Sequence, residues 1–272
     1  MFPLTEAQIR RYARHIVLPG VGGRGQRRLL RSRVLIIGAG GLGCPAALYL
    51  AAAGVGTIGI VDDDVVEESN LQRQILFRPE DIGRPKAEVA RERLQAFNPD
   101  VTVIPYVERF TAANARDRVA GYDLVIDGSD NFPTKYLASD VCVWEGKPLI
   151  WGAVFQYEGQ VGSLPPGGRP CFRCLLPSPP PPDQVPDCQQ AGVFGALAGV
   201  IGAMQAMEAL KALLGLGAPP AGRLLVFDGL QAEWLHVQVD RRPDCPVCGD
   251  RPTITEPVDY EAFCGIVRAP WP

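Results

Sequence analysis

Apolar residues along this chain gather into short unbroken runs, each closed by glycine or carboxylate, with stretches of helical period between them. The first run, Arg33-Val-Leu-Ile-Ile37, is β-branched and apolar at successive positions, as a parallel strand buried on both faces requires. It ends in Gly38-Ala-Gly-Gly-Leu-Gly43, and an alanine-rich helix follows to Ala53. Thr57 to Val61 repeats the strand pattern and closes on Asp62-Asp63-Asp64. An amphipathic helix is expected from Arg84 to Phe97, then strands at Val101 to Pro105 and Leu124 to Ile126, the latter running into Asp127-Gly-Ser-Asp-Asn131. Pro148 to Val154 makes a further strand after a helix. Strands alternating with helices predict an α/β fold with a doubly wound, mainly parallel, Rossmann-like sheet.

Both flanks depart from that alternation. Residues 5–31 read as helix, turn and helix, with arginines at 10, 11, 14, 24, 27, 28 and 31 around a Pro19 to Gly25 turn. After Gln156, Gly159 to Gly168 reads as strand and turn leading into Cys171-Phe-Arg-Cys174. The prolines between Leu176 and Cys188 forbid helix and central strand, so that segment is an extended linker or lid. An apolar run, Ala191 to Met204, continues past Gln205 and Glu208 to Ala218. It is too short to span a bilayer, and its glycines suit close packing in a core or subunit interface. Arg223 to Phe227 and Leu235 to Val239 complete an antiparallel extension before Cys245-Pro-Val-Cys248. The expected organisation is one domain over 1–249, with a helical arm at 1–31, a nucleotide-binding sheet at 32–155 and an extension at 156–249, then a tail at 250–272.

Composition narrows the class. Of 272 residues, 47% are hydrophobic and 21% charged, with a formal net charge of -3, which excludes a disordered chain. The same balance gives no overall attraction to nucleic acid, so nucleic-acid and membrane partners are not expected. The opening MFPLTEAQIR lacks the apolar core of a signal peptide, and two CxxC pairs suit a reduced, cytoplasmic setting.

Gly38, Gly40 and Gly43 form a G-x-G-x-x-G loop between strand and helix, and Asp62 closes the next strand. Such a loop lets phosphate approach backbone N–H groups at a helix N-terminus, while the acid accepts ribose hydroxyls. A nicotinamide dehydrogenase is the default reading of that fingerprint. The polar cluster Glu67-Glu-Ser-Asn-Leu-Gln-Arg-Gln74 and the following Gly83-Arg-Pro-Lys86 favour a different chemistry. Arg73 and Lys86 supply fixed cations for charge building on phosphate, Asn70 can orient it, and Asp130 with Asn131 offers hard oxygen ligands for magnesium.

Four thiolates at Cys171, Cys174, Cys245 and Cys248 are the number for a structural zinc, although seventy intervening residues keep spacing alone from joining the pairs. Cys188 precedes a helix whose N-terminus would lower its pKa, which makes it a candidate nucleophile against the alternative of an incidental thiol. Cys44 and Cys142 fit small core positions. Cys264 carries no assignment.

GAGGLG (38–43), DDD (62–64), SNLQRQ (69–74), GRPKA (83–87), SDN (129–131) and the paired CxxC together resemble the MoeB/ThiF family. These are E1-like enzymes that adenylate the C-terminal glycine of ubiquitin-fold sulfur-carrier proteins. The likeness runs from Thr5 to Gly249. It implies ATP bound by Gly38, Gly40, Gly41, Gly43, Asp62, Asp64, Ser69, Asn70, Leu71, Gln72, Arg73, Lys86, Asp130 and Asn131. Within that set Arg73 and Lys86 contact phosphates, Asn70 positions them, Asp62 holds ribose and Asp130 binds magnesium. It further implies a homodimer in which Arg14 reaches the partner's nucleotide, a zinc on the four CxxC cysteines, and, in the thiamine branch, a covalent carrier link at Cys188. Lys135 stands where the family often has arginine, which keeps charge and loses the fork. The carrier's terminal carboxylate attacks ATP, releasing pyrophosphate, for the thiamine, molybdopterin or tRNA-thiolation pathway. No rhodanese-like domain fits in the remaining length, so a separate sulfur donor is expected. Rival readings are a NAD-dependent oxidoreductase, a relative acting on tRNA as the threonylcarbamoyladenosine cyclases do, and a subunit that has lost catalysis.

Overall fold

The computed structural model describes residues 3–180, 192–217 and 222–264. One eight-stranded sheet runs through them in the order β3-β2-β1-β4-β5-β6-β7-β8. The strands are β1 Arg33–Ile37, β2 Thr57–Val61, β3 Thr102–Tyr106, β4 Leu124–Asp127, β5 Leu149–Phe155, β6 Glu158–Leu164, β7 Arg223–Asp228 and β8 Glu233–Gln238. β3, β2, β1, β4 and β5 are parallel, and β6, β7 and β8 extend the sheet antiparallel. The expected Rossmann-like sheet with an antiparallel C-terminal part is therefore present.

The central strands β1, β2 and β4 bury both faces, as their unbroken apolar runs require. In β1, Val34 and Ile36 share one core with Leu50, Val89 and Ile201, while Leu35 and Ile37 face a second core with Tyr136, Leu137 and Val141. Helices α4 (Gly43–Ala53), α5 (Lys86–Phe97) and α9 (Gly195–Leu214) cover the first face. Helices α6 (Ala115–Ala120) and α7 (Phe132–Trp144) cover the second, with the short α8 (Phe172–Leu175) packed on α7. α9 is long and apolar enough for a membrane span, yet half of that window is buried, against α4, β5 and β6.

The arm comprises α1 (Glu6–Arg11), α2 (Ala13–Ile16) and α3 (Gly22–Leu29). α3 begins inside the expected Pro19 to Gly25 turn. Gly25, Gln26 and Leu29 are all buried along one helical face, and that packing outweighs the low helix propensity of three glycines. The Tyr12 hydroxyl donates to Asp100 at 2.9 Å, so the arm lies on the loops that enter β2 and β3.

Residues 250–264, expected as a tail, lie along the second helical layer. Trp144 Nε1 donates to the Ile254 carbonyl (3.3 Å), Arg116 to the Thr255 carbonyl (3.0 Å), and Arg109 pairs with Glu261 (2.9 Å). α10 (Tyr260–Phe263) then packs on α7 and carries Cys264 into the core.

Candidate active site

β1 and β4 are the neighbours at which the strand order reverses, and a crevice forms beyond the carboxyl ends of strands at such a point. Here it is a cavity of about 990 Å³. The glycine loop forms its floor. Gly38 has φ 88°, and its N–H donates to the Val61 carbonyl at 2.8 Å, so the chain turns sharply off β1. A Cβ on Gly43 would run into the Gly38 carbonyl, so only glycine lets α4 start this close to the strand.

Asp62 braces the loop from β2. Its Oδ2 accepts from the Ala39 N–H (2.7 Å) and its Oδ1 from the Asp64 N–H (2.9 Å). Burial pushes its pKa up, and the Ala39 hydrogen bond and the Lys86 charge oppose that shift. Lys86, 5% exposed, opens α5 and donates from Nζ to Asp64 Oδ2 at 2.8 Å. Arg73 bonds the Ser69 carbonyl at 3.0 Å and pairs with no carboxylate among the described residues. Its stem lies beside the loop, Cγ being 3.3 Å from the point a Cβ on Gly41 would occupy.

Gly38, Gly40, Gly41, Asp62, Asp64, Arg73, Lys86, Asp130 and Asn131 all line this cavity. Asp130 is exposed there, and Asn131 caps α7, its Oδ1 accepting from the Thr134 N–H at 3.0 Å. Ser69, Asn70, Leu71 and Gln72 are not among the lining residues. Asn70 Oδ1 accepts from the Glu67 N–H at 3.2 Å, and its carbonyl accepts from Arg73 and Gln74 N–H, so Asn70 shapes the turn that presents Arg73. Lys135 reaches Asp127 Oδ2 (3.1 Å) and the Gly152 carbonyl (2.6 Å), a buried brace rather than an open cation. Two lining residues lacked a role in the motif reading. Gln74 Oε1 and Ser129 Oγ are buried polar atoms without partners among the described residues. The sequence places both inside SNLQRQ and SDN, but pairing is invisible before folding.

Arg14 is exposed on the arm and does not line the cavity. Cys188 lies outside the described residues. Cys44 and Cys142 are fully buried, and burial pushes the Cys44 thiol up to about 12, which leaves it unreactive.

The four CxxC cysteines come together across seventy-odd residues. Their sulfurs all lie within 4.8 Å of one another, with separations of 3.5 Å for Cys171–Cys245 and 3.4 Å for Cys174–Cys248. A tetrahedral zinc with Zn–S bonds of ~2.3 Å spaces its sulfurs by ~3.8 Å, so the donor set fits the ion and leaves no open position. Between Cys171 and Cys174, Arg173 is buried and forks onto Asp140, Nη2 to Oδ2 at 2.8 Å and Nε to Oδ1 at 3.0 Å. Tyr260 adds a hydrogen bond to the same carboxylate at 2.9 Å, and the Tyr136 and Phe263 rings hold the guanidinium.

The sulfur carrier protein adenylyltransferase of Thermus thermophilus is 54% identical over 267 residues, covering 96% of this chain and 98% of that protein. The SAMP-activating enzyme E1 of Haloferax volcanii is 50% identical over 264 residues, covering 97% of each. Among solved structures, Escherichia coli MccB with ATP matches with a TM-score of 0.76 at 23% identity, over 88% of this chain and 73% of that one, a likeness of fold. The ThiF family model matches residues 12–247, and the chain belongs to that family, the MoeB/ThiF group its motifs resemble.

Proposed function

We propose that the protein adenylates the C-terminal glycine carboxylate of a ubiquitin-fold sulfur-carrier protein at the expense of ATP. The observation that carries this reading is the cavity lined by the glycine loop, Asp62, a buried Lys86 and an Arg73 that has no carboxylate partner among the described residues. It stands in a chain that is half identical, end to end, to relatives named for carrier activation.

A carboxylate is a poor acyl donor until one oxygen gains a good leaving group. In the proposed step that oxygen bonds to the α-phosphorus as the bond from α-phosphorus to the α–β bridging oxygen breaks, and the electron pair leaves with pyrophosphate. No proton moves, so no general base is needed. The site's task is alignment and the screening of repelling charges. Asp62 would accept the ribose hydroxyls, and the N-terminus of α4 with Arg73 and Lys86 would hold the phosphates. Asp130 would hold magnesium, which supplies further neutralisation of the triphosphate when bound. The cavity continues between β5, β6 and Leu176 to Pro180, a route for an extended tail ending in Gly-Gly.

Arg14 lies on the arm that packs at the opposite, amino edge of the sheet, so its nucleotide role belongs to a homodimer in which it serves the partner's site. Zinc on the four cysteines would fix the extension structurally. Residues 1–249 act as one adenylating domain in this reading, the sulfur comes from a separate donor, and Cys188 is the residue for a covalent carrier link. The thiamine, molybdopterin and tRNA-thiolation pathways all present the required substrate chemistry. The test is carrier-dependent exchange of labelled pyrophosphate into ATP. Arg73→Ala abolishes exchange while leaving the melting temperature unchanged, and retained exchange would remove Arg73 from the mechanism.

A further inference from the structure

The cavity holds a buried polar group that the proposed step leaves unused. Gln74 is 3% exposed and its backbone is pinned at both ends, its N–H donating to the Asn70 carbonyl (2.9 Å) and its carbonyl accepting from the Phe77 N–H (3.1 Å). The side chain is not engaged in the same way. Its Oε1 has no hydrogen-bond partner among the described residues. Its Nε2 stands 3.8 Å from the point that a Cβ on Gly40 would occupy, so the carboxamide overhangs the glycine loop. Arg73, the preceding residue, flanks Gly41 in the same way. The pair thus straddles the loop, one charged and one neutral.

A buried carboxamide oxygen left without a partner costs free energy, and such atoms are otherwise satisfied in folded proteins. The carboxamide can turn to present either donor or acceptor. Its setting decides which is used: at a helix N-terminus beside a guanidinium, the ligand is anionic and rich in acceptors. We propose that Gln74 binds the phosphate chain of the nucleotide, donating from its amide nitrogen to a phosphoryl oxygen held over Gly40. This rests on the ATP-dependent reading above. As a neutral donor Gln74 orients the chain, while Arg73 and Lys86 balance its charge.

Calorimetric titration of wild type, Gln74→Met and Gln74→Glu with ATP and with adenosine tests this. Gln74→Met keeps the bulk and removes the donor, so its ATP affinity falls about tenfold, the size of one lost hydrogen bond to a charged group. Its adenosine affinity is unchanged, and the unliganded variant melts no lower than wild type because an orphaned polar atom has gone. Gln74→Glu loses more ATP affinity still, since a carboxylate then faces phosphate. The proposal is overturned if Gln74→Met binds ATP as tightly as wild type, if it loses ATP and adenosine affinity equally, or if Gln74→Glu binds ATP better than Gln74→Met. Wild-type protein that binds no ATP would instead overturn the adenylation reading on which this one rests.

Discussion

Asp62 has one structural task and one proposed chemical task, and its environment ties them together. Two backbone N–H groups fix its carboxylate against the glycine loop, while burial raises its pKa above the ordinary aspartate value. On acidification it therefore protonates sooner than an exposed aspartate, whose pKa is ~3.9. If it accepts the ribose hydroxyls, ATP affinity declines as pH falls through that raised value, and the decline is absent in Asp62→Asn. Titrations at a series of pH values measure this, and a wild-type profile flat down to the exposed-aspartate range would remove Asp62 from the ribose. Arg173 makes a different kind of demand. Its fork onto Asp140 is buried, so Arg173→Met leaves a carboxylate uncompensated and costs about 3–5 kcal/mol, read from denaturant unfolding. Arg173→Met combined with Asp140→Leu recovers most of that loss, because no buried charge remains.

At the scale of elements, the turn before α5 matters most, since it delivers Lys86 to the cavity. Asp81, 1% exposed, anchors that turn. Burial opposes its ionisation, but Arg93 (2.8 Å) and the Arg78 N–H (3.0 Å) outweigh burial and hold the carboxyl below the usual range. A depressed folded pKa gives stability that is complete above the unfolded value of ~3.9 and is lost as pH falls through the folded one. Asp81→Asn should thus melt lower than wild type at neutral pH, with the difference shrinking in strong acid. Melting curves across pH check this, and a constant difference would contradict it. The parallel strands were legible in the sequence because a strand buried on both faces writes its burial as an unbroken apolar run, as in Arg33 to Ile37. α6 was not, because six residues of Ala115–Ala120 bury only Ala115 and Val119 and carry too little period to register. The glycine loop, Arg73 and Lys86 were legible through motif context. That Lys135 is spent on Asp127 and the Gly152 carbonyl, and that Gln74 Oε1 lacks a partner among the described residues, depend on how separate segments pack, which no local pattern records.

At the scale of the molecule, one helix links the two chemistries. α7 is capped by Asn131 beside the cavity, and its Ser139 and Asp140 clasp the CxxC turn through Phe172 and Arg173. Elemental analysis of protein purified without chelator should find one zinc per chain, and its absence would contradict the structural-metal reading. The chemistry at issue is transfer of an adenylyl group from ATP to the carrier's terminal carboxylate. The most direct measurement incubates the protein with ATP, magnesium and each of several ubiquitin-fold carriers ending in Gly-Gly, then weighs the intact carrier by mass spectrometry. The expected result is a carrier heavier by one adenylyl group, formed only with ATP and lost in a variant lacking the terminal glycine. Unmodified carriers in every reaction, from protein that binds ATP, would contradict it.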